Sequence, residues 1–274
     1  MTALRLLLRQ SPPCVLDAAP LRPDRLAGLT RAEIERIELS GWNEHVAVGE
    51  LFTVRGSAGD RMLLEGLDGN FLRVGAELGR GELIASGYGG DYLGEDLAGG
   101  RLTLDGDCGD FAACGMAGGT LEIRGHAGDF LASGRAGALA GMRGGRVLVR
   151  GDCGERAADR MRRGELLIEG AAGDYCAARL IAGSVVVLGR VGARPGYLMR
   201  RGSLIVTDPA LQFLPTFNPN GRCDPLAIRL LLRSLVPCGA LFETLARQAA
   251  DFERWLGDHA CGGQGEILLA RPAE

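Results

Sequence analysis

The sequence predicts a mainly β protein, a right-handed parallel β-helix built from coils of about 19 residues, and three observations carry that prediction. A template, Gly100-Arg-Leu-Thr-Leu-Asp-Gly106-Asp-Cys-Gly-Asp110, recurs at Gly119 to Asp129, Gly164 to Asp174 and Gly183 to Gly192, and its second glycine advances by 19 from Gly106 to Gly125 and again from Gly151 to Gly170 to Gly189. Between the two glycines apolar residues alternate with a period of two: Leu102 and Leu104, Leu121 and Ile123, Val147 and Val149, Leu166 and Ile168, Val185 and Val187, Leu204 and Val206. One strand with a turn cannot bury its apolar face alone, so equivalent strands must stack in parallel, about 4.8 Å apart, around a shared core. Parallel crossovers are right-handed in nearly all proteins, which sets the expected winding.

Composition agrees with a folded repeat protein. Glycine supplies 44 of 274 residues, but proline only 11, and the glycines are periodic, which excludes collagen and disorder. The net charge of −3 comes from interspersed acids and bases and leaves no footprint for nucleic acid or an anionic membrane surface. There is no Lys, so all 31 Lys-or-Arg positions are Arg, a pattern read as GC-rich bacterial coding bias, with a functional use of Arg as the alternative. Leu4 to Leu8 is too short and too charged for a signal peptide, no run approaches a membrane span, and a cytoplasmic location is expected. The eight cysteines include no Cys-x-x-Cys and are read as small buried residues rather than ligands: Cys108 and Cys153 occupy the repeat position filled elsewhere by Ala127 and Ala172.

In chain order, residues 1–48 form an N-terminal extension. Residues 4–8 predict a strand, and Thr30-Arg-Ala-Glu33 is a capping box that starts a short helix over about 31–37. Extended segments follow at 37–43 and 46–54. The repeats fill 49–208, with second glycines at Gly56, Gly66, Gly87, Gly106, Gly125, Gly151, Gly170 and Gly189. The step from Gly125 to Gly151 is 26 rather than 19, so seven extra residues around Ser133 to Leu139 should project as a loop. The C-terminal extension, 209–274, holds an irregular proline-rich crossing, a helix begun by Asp224-Pro225 and carrying Leu226 to Leu235, a second helix over about 239–256 with Ala249 on its apolar face, and a final strand at 266–269.

Three repeat positions form rows. Leu78, Leu97, Met116, Met142, Met161, Leu180 and Met199 read as core, and so does an aromatic row of Phe71, Tyr92, Phe111, Phe130 and Tyr175 that Arg156 and Arg194 interrupt. The acids Asp60, Asp91, Asp110, Asp129, Glu155 and Asp174 could imitate a cation site, but the favoured reading is that they accept hydrogen bonds from turn N–H groups, which relieves their repulsion. His45, His126 and His259 have no neighbouring nucleophile or ligand pattern, and Gly87-Tyr-Gly-Gly90 is the repeat's own turn rather than a phosphate loop. No catalytic, cofactor-binding or metal-ligating set is assigned to this chain.

Two departures from the repeat are the candidate docking residues. The outward position, polar at Thr103 and Glu122, becomes apolar at Leu148, Leu167, Val186 and Ile205; such a strip must be covered, either by the chain's own C-terminal segment or by a partner. Arg143, Arg162, Arg163, Arg200 and Arg201 precede the first glycines of their coils and would repel one another unless an anion or partner carboxylates intervene.

The coil pattern, with Met116-Ala-Gly-Gly119 and Met142-Arg-Gly-Gly145 between copies, resembles the β-helix domain at the C-terminus of the large glutamate synthase subunit. Together with the flanks Asn43-Glu-His-Val-Ala-Val-Gly-Glu-Leu-Phe52 and Trp255-Leu-Gly-Asp258-His-Ala-Cys-Gly-Gly-Gln-Gly-Glu-Ile267, it resembles the C subunit family of formylmethanofuran dehydrogenase still more closely. That resemblance implies one of two settings. One is a tungsten or molybdenum dehydrogenase with iron–sulfur clusters. The other is a bacterial formyltransferase/hydrolase complex, which the Arg-only composition favours, where formyl passes from formyl-tetrahydromethanopterin to a methanofuran-type carrier and leaves as formate. It implies hydrolase, formyltransferase and dehydrogenase-like partner subunits, with the carrier and zinc on those partners, and a scaffold role here; the alternative is a binding domain for a polyglutamylated carrier, engaged through the Arg strip.

Overall fold

Alternating apolar residues pair rung by rung in the computed structural model, which describes residues 3–272. The N-terminal part runs β1 (Ala3–Leu8), β2 (Leu16–Asp17), α1 (Pro23–Leu26), α2 (Arg31–Glu35), β3 (Glu38–Ser40), β4 (His45–Ala47), α3 (Val48–Leu51), β5 (Phe52–Arg55), β6 (Ser57–Asp68) and β7 (Phe71–Leu72). The middle supplies β8 (Glu82–Tyr88), β9 (Arg101–Asp105), β10 (Thr120–Ile123), β11 (Arg146–Val149), β12 (Glu165–Ile168), β13 (Ser184–Val187) and β14 (Ser203–Val206). The C-terminal part is β15 (Asn218–Cys223), α4 (Leu226–Leu235), α5 (Ala240–Gln248), β16 (Ala249–Gly257) and β17 (Gly265–Pro272).

The protein is mainly β, and one 13-stranded sheet with the order β15-β16-β17-β14-β13-β12-β11-β10-β9-β8-β6-β1-β5 dominates it. From β1 through β6 and β8 to β14 and on to β17 every neighbouring pair is parallel. The all-parallel expectation needs correction at both ends. β5 runs antiparallel to β1, and β16 runs antiparallel to both β15 and β17, so the sheet is mixed. Gly56, which the spacing predicts as the first repeat glycine, only links antiparallel-paired β5 to β6.

Registers follow the inward rows. Leu102, Leu121, Val147, Leu166, Val185, Leu204 and Ile267 lie side by side, as do Leu104, Ile123, Val149, Ile168, Val187, Val206 and Leu269. These rows and the Leu/Met row belong to one continuous buried cluster. The first glycine of a repeat turns the chain into its strand at positive φ: at Gly164 (φ +103°) a Cβ would lie 2.7 Å from the Gly145 carbonyl oxygen, so only glycine fits that approach of two rungs. The 26-residue step leaves pairing intact, with Thr120 still opposite Arg146.

At α2 the capping box forms as read. The Thr30 hydroxyl accepts from the Glu33 N–H at 3.3 Å and the Glu33 carboxylate accepts from the Thr30 N–H at 2.7 Å; the Thr30 hydroxyl is the main cause holding the Glu33 carboxyl below its ordinary range. The helix closes at Glu35, and the Ile37 carbonyl turns to accept from Val48 at 2.8 Å. The second C-terminal helix is shorter than its periodicity predicts. It stops at Gln248, and residues 249–257 become β16, because the β17 edge offers a run of backbone partners that a continued helix would leave unpaired. The side chain of Ala249 lies outside the described residues.

Candidate functional site

The outward apolar strip is an interior surface. Leu148, Leu167, Val186 and Ile205 line up across β11 to β14, β17 adds Leu268, and all five are buried. They pack in one cluster with Ile228, Leu232 and Leu235 of α4, Phe242 and Leu245 of α5, and Phe252 of β16. Of the two covers that the sequence allowed, the chain's own C-terminal segment is the one present. The docking reading of these four residues is corrected accordingly, because a strip sealed by two helices presents nothing to a partner. Charged pairs border the seam: Arg150 donates to Glu122 at 2.9 Å and to Glu169 at 2.6 Å, and Arg146 to Glu165 at 2.6 Å.

The arginine edge remains open. Arg143, Arg162, Arg163, Arg200 and Arg201 are all exposed. Arg143 reaches the Gly115 carbonyl at 3.2 Å and the Asp96 carboxylate at 3.5 Å. The other four have no ion-pair partner among the described residues, whereas most neighbouring arginines do. Two clefts flank this edge. One of about 360 Å³ is lined by Asp96, Arg135, Leu139, Arg143 and Arg162, and another of about 390 Å³ by Ile181, Arg200, Arg201, Cys261 and Gln264. Guanidiniums without counter-charges in a cleft can receive carboxylates or other anions bidentately.

The acid row satisfies backbone donors, one repeat further on than the sequence could specify. The Oδ1 atoms of Asp91, Asp110, Asp129 and Asp174 accept from the N–H groups of Asp110, Asp129, Glu155 and Ala193 at 2.7–2.9 Å. A second row runs beside it: Asp107 accepts from His126, His126 Nδ1 from Asp152 (2.9 Å), and Asp152 from Ala171. His126 therefore does the work of an aspartate in that row. Among the described residues no group of three or more His, Cys, Asp or Glu is placed to hold a metal ion.

The aromatic row stands half-exposed on the surface, which corrects its reading as core. Tyr92 and Phe111 stack with centroids 5.0 Å apart, Phe111 and Phe130 at 4.7 Å, and the two arginines continue the pile, Arg156 lying 4.7 Å from the Tyr175 ring centroid and Arg194 5.3 Å from it. Phe71 is buried in the core instead, and Arg73 holds the equivalent place: Arg73, Tyr92, Phe111, Phe130, Arg156, Tyr175 and Arg194 all have φ between 57° and 60°.

Sequence reasoning missed two buried carboxylates in this turn. Glu95 accepts from Arg73 at 2.6 Å and pairs with Arg135 at 2.7 Å, and Asp159 accepts from Arg179 at 2.8 Å. Their signal was a charged residue at a repeat position held elsewhere by Cys114, Ser133 and Ala178. Four cysteines, Cys108, Cys114, Cys153 and Cys176, are buried, and Cys261 is exposed.

Stacked glycine-flanked strands, carboxylates committed to the backbone and a helix-covered strip define a glycine-repeat β protein. The chain belongs to the GXGXG motif family, whose model matches residues 71–221. It is similar to a chain in the crystal structure of the formyltransferase/hydrolase complex (FhcABCD) from Methylorubrum extorquens in complex with methylofuran, with a TM-score of 0.91 and 37% identity over 98% of this chain and 100% of that one. It is also similar to the C subunit of the tungsten-containing formylmethanofuran dehydrogenase 2 of Methanothermobacter wolfeii (31% identical over 99 residues) and of Methanothermobacter marburgensis (32% over 99 residues). Those matches span 34% of this chain and 37% of each relative, little more than a third of the curated proteins' length. Among the described residues no helix is long and apolar enough to cross a membrane.

Proposed function

We propose that this chain is a non-catalytic scaffold subunit of a formyltransferase/hydrolase complex. Its repeats, 49–208, would wind as a right-handed parallel β-helix between the 1–48 and 209–274 extensions. On this reading the reaction chemistry, the methanofuran-type carrier and zinc belong to hydrolase, formyltransferase and dehydrogenase-like partner subunits. Those subunits move formyl from formyl-tetrahydromethanopterin to the carrier and release formate. The supporting observation is the end-to-end likeness to a chain of such a complex, 37% identical over 98% of this chain. The dehydrogenase relatives are matched over only 34% of it, which weighs against a tungsten or molybdenum setting. Co-expression with the other subunits, affinity capture through this chain and metal analysis of the eluate test the reading. Zinc with a formate-releasing activity is expected; capture of none of those subunits, or of tungsten or molybdenum with them, sinks it.

A second reading, a binding surface for an acidic, glutamylated carrier, draws on the four arginines that have no carboxylate partner among the described residues. Replacing Arg162, Arg163, Arg200 and Arg201 by Ala separates the two: loss of carrier affinity with intact assembly favours the carrier surface, and loss of assembly favours the scaffold.

A further inference from the structure

The inserted loop carries one large apolar side chain, Leu139, which is 90% exposed. A lone exposed leucine is ordinary; the way this one is mounted is not. The Ala138 N–H donates to the Arg135 carbonyl at 2.9 Å, the Gly141 N–H to the Arg160 carbonyl at 2.7 Å and the Met142 N–H to the Ala132 carbonyl at 3.0 Å. Arg160 Nη1 holds the Ala138 carbonyl at 2.6 Å. Arg135 pins the loop from its other side, pairing with the buried Glu95 at 2.7 Å and with Asp96 at 2.6 Å. The loop is thus tied to repeats on either side of it, and its tip is presented with little left to order on binding.

The surroundings of the tip define what it can meet. Leu139 shares its cleft with Arg135, Arg143 and Arg162. Arg135 and Arg143 are matched by Glu95 and Asp96, but Arg162 and the adjacent Arg163 have no carboxylate among the described residues. The surface is an apolar knob beside uncompensated positive charge, and its complement is an apolar pocket with carboxylates on one rim.

We propose that Leu139 is a docking anchor for another protein subunit, inserting into an apolar pocket of that subunit while rim carboxylates meet Arg162 and Arg163. The inference rests on the subunit reading above. It commits to a different subunit rather than a second copy of this chain because the unmatched charge here is positive, and copies of one edge would set arginine against arginine.

The test uses the full chain and the remaining subunits purified as an assembly lacking it. Binding of wild type, Leu139→Asp and the double variant Arg162→Glu/Arg163→Glu is measured by interferometry at several salt concentrations, with melting temperatures alongside. Melting of Leu139→Asp is expected within about 1 °C of wild type, because so exposed a side chain buries almost nothing. Its affinity is expected to fall about tenfold or more, as for a central anchor. The charge reversal is expected to slow association and to reverse its salt dependence. A smaller loss at Leu139→Asp overturns the proposal. Independently of stability, benzoylphenylalanine in place of Leu139 is expected to photo-crosslink to another subunit in the assembled complex; no crosslink, or one only between copies of this chain, overturns it. Failure of the wild-type chain itself to bind condemns the subunit reading instead.

Discussion

A thiol sealed in a β core resists ionisation, and the cysteines divide along that line. Burial pushes the Cys108, Cys114 and Cys176 thiols up to about 12 from a normal value of 9.0, and Cys153 well above it. The unfolded chain ionises these groups near its ordinary value, so their contribution to stability is intact below about pH 9 and declines as pH rises toward about 12. Denaturant titrations at stepped pH should show that alkaline loss, and Cys108→Ala and Cys176→Ala should each flatten it. Backbone conformation gives a second prediction. Phe111 sits at φ 60° between two stacked rings. Phe111→Ala loses the stacking and keeps the left-handed penalty, whereas Phe111→Gly loses only the stacking, so the glycine variant should be the more stable of the two by about 1 kcal/mol in chemical denaturation. Cys108 as a small core residue was legible from its alanine counterparts. The surface position of Phe111 was not, because periodicity marks a recurring residue without showing which way a left-handed backbone turns its side chain.

The helices α4 and α5 act as a lid fastened by apolar contact. Phe242 is fully buried against the strip, and Phe242→Ala should cost about 3–5 kcal/mol and expose the strip to a hydrophobic dye such as ANS well before the repeats unfold. Unchanged stability would mean that the lid contributes nothing to the fold. The need for a cover was readable in Leu148, Leu167, Val186 and Ile205, and the amphipathic run from Leu226 to Leu235 was readable as a helix. That one covers the other was legible only as one of two options, since sequence periodicity says which face is apolar and not what meets it. The conversion of 249–257 to strand was hidden for a related reason: it depends on an edge, β17, that comes later in the chain.

Across the whole molecule, the sheet is a stack with two exposed edges that must be closed. β17 pairs with β14 as one more parallel rung, β16 and β15 follow antiparallel, and Pro219 and Gly221 stand in the outermost strand. Proline there removes an edge donor. Truncation after Thr207 should therefore leave the outer edge of β14, still paired with β13, without its β17 partner and the strip bare, and light scattering should report aggregates where the full chain gives none. The 19-residue period made the stack of rungs predictable, because each repeat's apolar pair needs the next. The antiparallel ends escaped prediction because the terminal segments do not repeat, and nothing periodic announces a partner used once.

The undisturbed register beside the inserted loop shows where this chain can vary. Twenty-six residues separate Gly125 from Gly151, yet Thr120 faces Arg146 as though the step were ordinary. Length is free in the connections and fixed in the rungs. A peptide epitope spliced between Ala136 and Ala138 should leave melting close to that of the parent. One extra residue within 120–123 would turn Leu121 or Ile123 outward and end the stack there. New recognition surfaces can therefore accumulate on such a protein as additions to its outline, without renegotiating its interior.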